Sequence, residues 1–129
     1  MPKRVLVADD QLSARELLRA VLCNAGYEVV EACDGNEAVH YARESSPDLI
    51  LLDIHMPGPD GFAVCAALRA DSRFEIVPII AMTAGLMRGE HERAVAAGFT
   101  EFLGKPISIA ALRRVVAAFL DATEYSAHA

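Results

Sequence analysis

Short apolar runs and longer amphipathic stretches alternate along the whole chain. "RVLVA" at 4–8 is Val/Leu-rich and too short for a helix, which predicts a strand. "LSARELLRAVLCNAG" at 12–26 then repeats Leu17, Leu18, Val21 and Leu22 at helical spacing and stops at Gly26. Ser13 and Glu16 have capping-box spacing, so the helix start is open by one turn. "YEVVEA" at 27–32 predicts a second strand, and Asp34, with Glu37 three residues on, caps a helix over 34–45. "DLILL" at 48–52 is apolar almost without a break, as a strand buried on both faces requires. It runs straight into Asp53 and then a stretch broken by Pro57, Gly58 and Pro59.

The same alternation continues to the end. "FAVCAALRA" at 62–70 predicts a helix with Val64, Ala67 and Leu68 inward, and Gly61 serves the turn that enters it. "VPIIAMT" at 77–83 predicts a fourth strand, with Pro78 near the beginning where a missing N–H is tolerated. "RGEHERAVAAG" at 88–98 is a weakly amphipathic helix ending at Gly98, and "TEFLG" at 100–104 a short fifth strand. Ser108 caps "IAALRRVVAAFL", whose Leu112, Val115, Val116, Phe119 and Leu120 share a face. "TEYSAHA" at 123–129 reads as a frayed tail.

Five strand–helix pairs with short connections predict a parallel sheet covered by helices on both faces. Five units are too few for an eight-fold barrel, so the expected architecture is a doubly wound five-stranded parallel sheet, order 2-1-3-4-5. Length agrees: 129 residues make one domain with one core region. Aromatics are 6% and Trp is absent, so Leu, Val, Ile and Ala must fill that core. A net charge of −6 argues against direct nucleic-acid binding, which calls for a basic patch. Cys23, Cys33 and Cys65 share no metal-type spacing and read as small buried apolar residues in a reducing compartment. The N-terminus turns acidic too soon for a signal peptide, and no apolar run nears the roughly 20 residues that span a bilayer. A cytoplasmic protein without membrane attachment is expected.

In such a sheet the strand-to-helix loops gather at the carboxyl edge, with the crevice between strands 1 and 3. Strand 1 delivers Asp9 and Asp10 there, strand 3 Asp53 and strand 4 Thr83; strand 5 leads to Lys105. Each has a bland alternative: helix cap for the Asp pair, turn former for Asp53, strand residue or cap for Thr83, solvated charge for Lys105. Their conjunction at one edge is harder to explain that way. Three carboxylates would repel one another, and an all-oxygen cluster suits Mg²⁺. Together with one lysine, that ion brings the site to neutrality.

"VLVADD", "DLILLDIHMPGPDG", "PIIAMTA" and "FLGKPI" together resemble the receiver domain of two-component response regulators, over about residues 4–121. The resemblance implies a flavodoxin-like fold, a receiver domain over 1–122 with the tail after it, and a phosphorelay switch. Asp53 would accept a phosphoryl group from a histidine kinase or histidine phosphotransfer protein. Asp10, Asp53 and the backbone carbonyl of His55 would bind Mg²⁺, and Asp9 would hold a metal-bound water. Lys105 would neutralise charge on the transferring oxygens, and its bond to Pro106 would be cis. Thr83 and Phe102 would form the switch, and the helix 4–strand 5–helix 5 face would meet a downstream protein target. Such a protein catalyses only its own phosphorylation and dephosphorylation. Homodimer formation on activation is open, as is whether the receiver is free-standing or part of a longer protein. His55 and Gly85 stand where the family tunes phosphoryl lifetime; the His55 ring could orient water or simply face solvent. Glu101 replaces the commoner Asp or Asn, and Phe102 lacks the hydroxyl a Tyr would offer.

Two other classes fit less well. An aspartyl-nucleophile phosphatase wants a second acid two positions after the nucleophile, where this chain has His55. A flavin carrier wants a Ser/Thr/Gly-rich phosphate loop after strand 1, where "ADDQLSAR" is acidic.

Overall fold

In the computed structural model, residues 2–85 and 89–121 are described. The expected 123–129 tail and Arg88, the expected start of the fourth helix, lie outside them. Five strands alternate with five helices among the described residues: β1 (Arg4–Ala8), α1 (Leu12–Asn24), β2 (Glu28–Ala32), α2 (Gly35–Ser45), β3 (Leu49–Asp53), α3 (Gly61–Arg69), β4 (Ile79–Thr83), α4 (Glu90–Ala97), β5 (Glu101–Gly104) and α5 (Ile109–Leu120). The sheet is parallel throughout and its order is β2-β1-β3-β4-β5, as expected.

Alternation along the inner strands builds two apolar layers. Leu6, Ala8, Ile50, Leu52, Ile79 and Ala81 meet Ala38, Ala42, Val64, Leu68 and Ala94 of α2, α3 and α4. Val5, Val7, Leu49, Leu51, Ile80 and Met82 meet Leu18, Val21 and Leu22 of α1 and Leu112, Val116 and Leu120 of α5. Every residue of β3 is buried, which accounts for its lack of polar alternation. Each fully buried Leu or Ile side chain stabilises the fold by about 1.5–3 kcal/mol relative to exposure.

Several local expectations need correction. Leu17 is 45% exposed, because the face α1 presents to the sheet is the narrower stripe of Leu18, Val21 and Leu22. The Ser13–Glu16 capping box does not form: Gln11 is the N-cap, and its N–H goes to Asp9 Oδ1 at 2.9 Å. Ala67 is exposed, whereas Phe62 and Cys65 join Val64 and Leu68 on the inner face of α3. Only Cys65 of the three cysteines is buried; Cys33 is half-buried and Cys23 exposed. Pro78 precedes β4 rather than beginning it, and its carbonyl accepts from Ile50 N at 2.9 Å. Between α3 and β4 the chain makes a 3-10 turn, Ser72–Phe74, that the apolar pattern did not predict.

The expected caps at Asp34 and Ser108 are present, the side chains accepting from Glu37 N and Ala111 N. Gly98 ends α4 with φ 104°, a conformation glycine adopts without steric cost. Gly61 answers a different need. A Cβ there would stand 2.6 Å from Ile54 Cα and 2.7 Å from the Asp53 carbonyl oxygen, so α3 can start against β3 only without a side chain.

Candidate functional site

Three residues at the carboxyl edge repeat one local device. Asp9 Oδ1 accepts from Gln11 N at 2.9 Å, Asp53 Oδ1 from His55 N at 3.0 Å, and Thr83 Oγ1 from Gly85 N at 3.2 Å. In each case a short polar side chain takes the amide two residues on, the geometry of Asx and Ser/Thr turns. The device ends each strand and fixes which way the side chain faces before any ligand arrives.

Asp9 is 0%, Asp53 5% and Thr83 4% exposed, while Asp10 is open to solvent. Lys105 reaches across from beyond β5: its Nζ lies 2.7 Å from Asp9 Oδ2 and 3.1 Å from Asp53 Oδ2. The Lys105–Pro106 peptide is cis. Burial raises the Asp53 pKa; the bonds from His55 N and Lys105 oppose that rise, and the charge of Asp9 adds to it. Burial works against the Lys105 ammonium, but hydrogen bonds and charge from Asp9 and Asp53 together hold its pKa above the ordinary lysine value.

One carboxylate oxygen each from Asp9, Asp10 and Asp53 lies within 4.8 Å of the others. Hard oxygen donors gathered this closely, with a single lysine against three carboxylates, fit a small divalent cation. Arg15, which the motif reading passed over, also touches the site. Its Nη1 donates to the Asp9 carbonyl at 2.7 Å and its Nε to Glu31 Oε1 at 3.3 Å. The available signal was a cation near a helix N-terminus, where the dipole disfavours one unless other partners hold it.

The family model described as the response regulator receiver domain matches residues 5–117. The chain belongs to that family. It is a receiver domain of two-component signalling. Over 120 residues the receiver is 36% identical to the polar-differentiation response regulator DivK of Brucella anthropi, a span of 93% of this chain and 98% of the relative. Its fold superposes on the Vibrio cholerae chemotaxis response regulator CheY4 with a TM-score of 0.88 at 32% identity, covering 93% of this chain and 100% of that one. The receiver domain of the sensor histidine kinase PA1611 from Pseudomonas aeruginosa, with a magnesium ion coordinated in its active-site cleft, gives a TM-score of 0.85 at 32% identity over 92% of this chain and 98% of that one.

The remaining expected residues of the receiver lie around this centre. The Thr83 hydroxyl also donates to the Gly85 carbonyl at 3.0 Å, so both its hydrogen-bonding roles are met within its own loop. Phe102 pairs in register with Ala81, two residues before Thr83, which puts Phe102 and Thr83 on the same face of neighbouring strands. The Phe102 ring is half-buried, 5.3 Å from the His91 ring and 6.4 Å from that of Phe99. The His55 side chain is exposed. No helix among the described residues is long and apolar enough to cross a membrane.

Proposed function

We propose that Asp53 is the phosphoryl acceptor of a phosphorelay and that the surrounding residues divide the work as follows. A carboxylate oxygen of Asp53 attacks the phosphorus of a phosphohistidine on a histidine kinase or histidine phosphotransfer protein. An O–P bond forms, the N–P bond breaks, and the imidazole leaves. Lys105, held by Asp9 and Asp53, supplies positive charge beside the transferring oxygens. Asp10, Asp53 and the His55 carbonyl would hold Mg²⁺ directly, with Asp9 retaining a metal-bound water. When bound, the cation offsets the negative charge of the phosphoryl oxygens and of the three carboxylates. The observation that carries this reading is the burial of Asp53 at a strand end, within reach of both the acid cluster and Lys105.

Phosphorylation exchanges a singly charged carboxylate for a group of about −1.5 to −2. The Thr83 hydroxyl then leaves Gly85 for a phosphoryl oxygen, and Phe102 turns into the space so opened. That exchange of partners gives the phosphorylated state its preference and shifts the α4–β5–α5 face, where a downstream protein binds. Residues 1–122 act as the receiver unit and 123–129 as its tail. The receiver works in the cytoplasm, without direct contact to nucleic acid or membrane, and its only catalysis is its own phosphorylation and dephosphorylation. Homodimer formation on activation is compatible with this scheme.

The test is intact mass after incubation with Mg²⁺ and a small acyl-phosphate donor. One phosphoryl adduct is expected, absent for Asp53→Asn and absent with chelator. An unchanged mass, where a control receiver reacts, refutes the assignment.

A further inference from the structure

Arg15 stands where the pattern of α1 calls for an apolar residue. It lies one turn before Leu18 and two turns before Leu22, so it continues toward the N-terminus the stripe that α1 buries against the sheet. Its side chain is 15% exposed. It also belongs to the first turn of the helix, where the dipole disfavours a cation. Burial and dipole both oppose an arginine here, and its partners show what holds it. Glu31 supplies the counter-charge from β2. It pairs in register with Val7, which is buried in the layer against α1 and α5, so the Glu31 side chain leaves β2 on the α1 side. Arg15 Nε donates to Glu31 Oε1 at 3.3 Å. Arg19 donates to the other carboxylate oxygen at 3.0 Å, but it is largely exposed and holds Glu31 weakly. With Nε on Glu31, the planar guanidinium aims Nη1 at the Asp9 carbonyl, 2.7 Å away.

That carbonyl belongs to the peptide joining Asp9 to Asp10. Asp9 is wholly buried, and each of its other polar groups has a partner. Its N–H donates to the Ala32 carbonyl at 3.1 Å, Oδ1 accepts from Gln11 N at 2.9 Å, and Oδ2 accepts from Lys105 Nζ at 2.7 Å. Arg15 completes the set. Asp10 differs: its side chain is exposed, and among the described residues no hydrogen bond or ion pair holds its carboxylate. Yet an oxygen of that carboxylate lies within 4.8 Å of oxygens of Asp9 and Asp53. The direction of the Asp10 side chain therefore follows from its backbone, and that backbone begins at the peptide whose carbonyl Arg15 holds.

We propose that Arg15 is a positioning residue for the Mg²⁺ site: by holding the Asp9 carbonyl it fixes the Asp9–Asp10 peptide and so aims the Asp10 carboxylate at the acid cluster. The inference rests on the reading of Asp10 as a ligand of that ion. Without Arg15, a buried carbonyl loses its donor, and the peptide is free to turn toward another partner and carry Asp10 with it. Loss of an outer partner of this kind typically costs about ten- to a hundredfold in metal affinity. Charge alone acts the other way, since removing a cation from beside a cation site strengthens binding. The sign of the change separates the two effects.

Titration of the full chain with Mg²⁺, followed by NMR at the backbone amides of Asp10, Asp53 and His55, tests this. Each variant is first shown by urea unfolding in chelator to be folded without denaturant, so that a loss of global stability alone leaves the dissociation constant unmoved. Arg15→Met should weaken Mg²⁺ binding about tenfold. In chelator it should also move the Asp9 carbonyl carbon resonance upfield, as loss of a hydrogen bond does. Arg15→Lys keeps the charge but has no fork to span Glu31 and the carbonyl, and should weaken binding about threefold. Arg19→Met should change it less than about twofold. Unchanged or tighter binding by Arg15→Met overturns the proposal, as does an Asp9 carbonyl resonance that stays in place. If Arg15→Met does not fold, Arg15→Lys decides, and wild-type affinity there overturns it. Asp10→Asn distinguishes the failures: binding at wild-type strength removes Asp10 from the ligand set and this inference with it. Weakened binding by Asp10→Asn beside wild-type binding by Arg15→Met removes this inference alone.

Discussion

The Lys105 ammonium lies closer to Asp9, at 2.7 Å, than to Asp53, at 3.1 Å. Lys105 is therefore a structural counter-ion as well as a partner of the proposed acceptor. It balances a carboxylate that is wholly buried. Replacing it by Met leaves two buried carboxylates facing each other with no cation. We expect Lys105→Met to lose about 2 kcal/mol in chelator by urea unfolding, the cost of a partly buried unpaired charge. Mg²⁺ should restore more stability to the variant than it adds to the wild type. At a hundred times its dissociation constant an ion bound only to the folded state contributes about 2.7 kcal/mol. Equal stability of the two proteins in chelator, or an equal response to Mg²⁺, would show that Lys105 has no such role.

Thr83 donates to and accepts from Gly85, so its hydroxyl starts from a satisfied state. Reaching a phosphoryl oxygen exchanges a neutral hydrogen bond for one to a charged group, a difference of roughly 1 kcal/mol or more. Thr83→Val keeps shape and strand propensity but offers no donor. The variant should still form the phosphoryl adduct and should lose about tenfold of the activated population, read from the chemical shifts of Phe102 on adding beryllofluoride. Thr83→Ser should behave as wild type. Full activation of Thr83→Val would exclude the hydroxyl from the switch.

Gly35 opens α2 directly beneath the proline-rich loop that follows Asp53. A Cβ there would stand 2.0 Å from the Pro59 carbonyl oxygen, which no rotamer change can relieve. Gly35→Ala must push that loop away, and we expect a loss of about 2–3 kcal/mol together with weaker Mg²⁺ binding. A Cβ on Gly104 would meet nothing within 4 Å, and Gly104→Ala should stay within about 0.5 kcal/mol of wild type. Matching urea midpoints for the two variants would contradict this contrast.

How far the sequence carried the reading depends on the kind of information. The parallel sheet and both apolar layers were legible because the inner strands are uniformly apolar and the helices carry clean stripes, as in Leu112, Val116 and Leu120, whereas the strand order leaned on the family resemblance as well. The gathering of Asp9, Asp10, Asp53 and Lys105 followed from that order, since a parallel sheet sends all its strand ends to one edge and the order sets β1 beside β3. Which member of the Asp pair is buried did not follow. Strand alternation does not settle it, because both faces of β1 are covered by helices: Val5 and Val7 are buried on one, Leu6 and Ala8 on the other. Side chains that bond to backbone were the least visible. Arg69 binds three carbonyls and a hydroxyl, and nothing in its neighbours in sequence marks it off from a solvated helix residue. Asp60 caps α3 by accepting from Ala63 N, but the Pro/Gly loop before it drew the reading toward a turn. Leu17 and Ala67 were misplaced because helical spacing alone does not give the width of the buried stripe.

The three cysteines should separate by chemistry. Cys23 is exposed and should alkylate readily near pH 8, where Cys65 is shielded by burial. Cys33 donates its thiol hydrogen to Glu37 Oε1 at 3.1 Å, which raises its pKa and should slow its reaction relative to Cys23. Burial pushes the Cys65 thiol from 9.0 up to about 11. Between those values the unfolded chain has released the proton and the folded chain has kept it. The folded state then binds more protons, so stability must fall as pH rises from about 9 through about 11. A separation of that size amounts to about 2–3 kcal/mol once both forms are ionised. Cys65→Val, which keeps the volume and removes the titration, should show a shallower alkaline loss in urea unfolding at a series of pH values. Parallel curves for the two proteins would mean that Cys65 ionises no differently in the folded and unfolded chain.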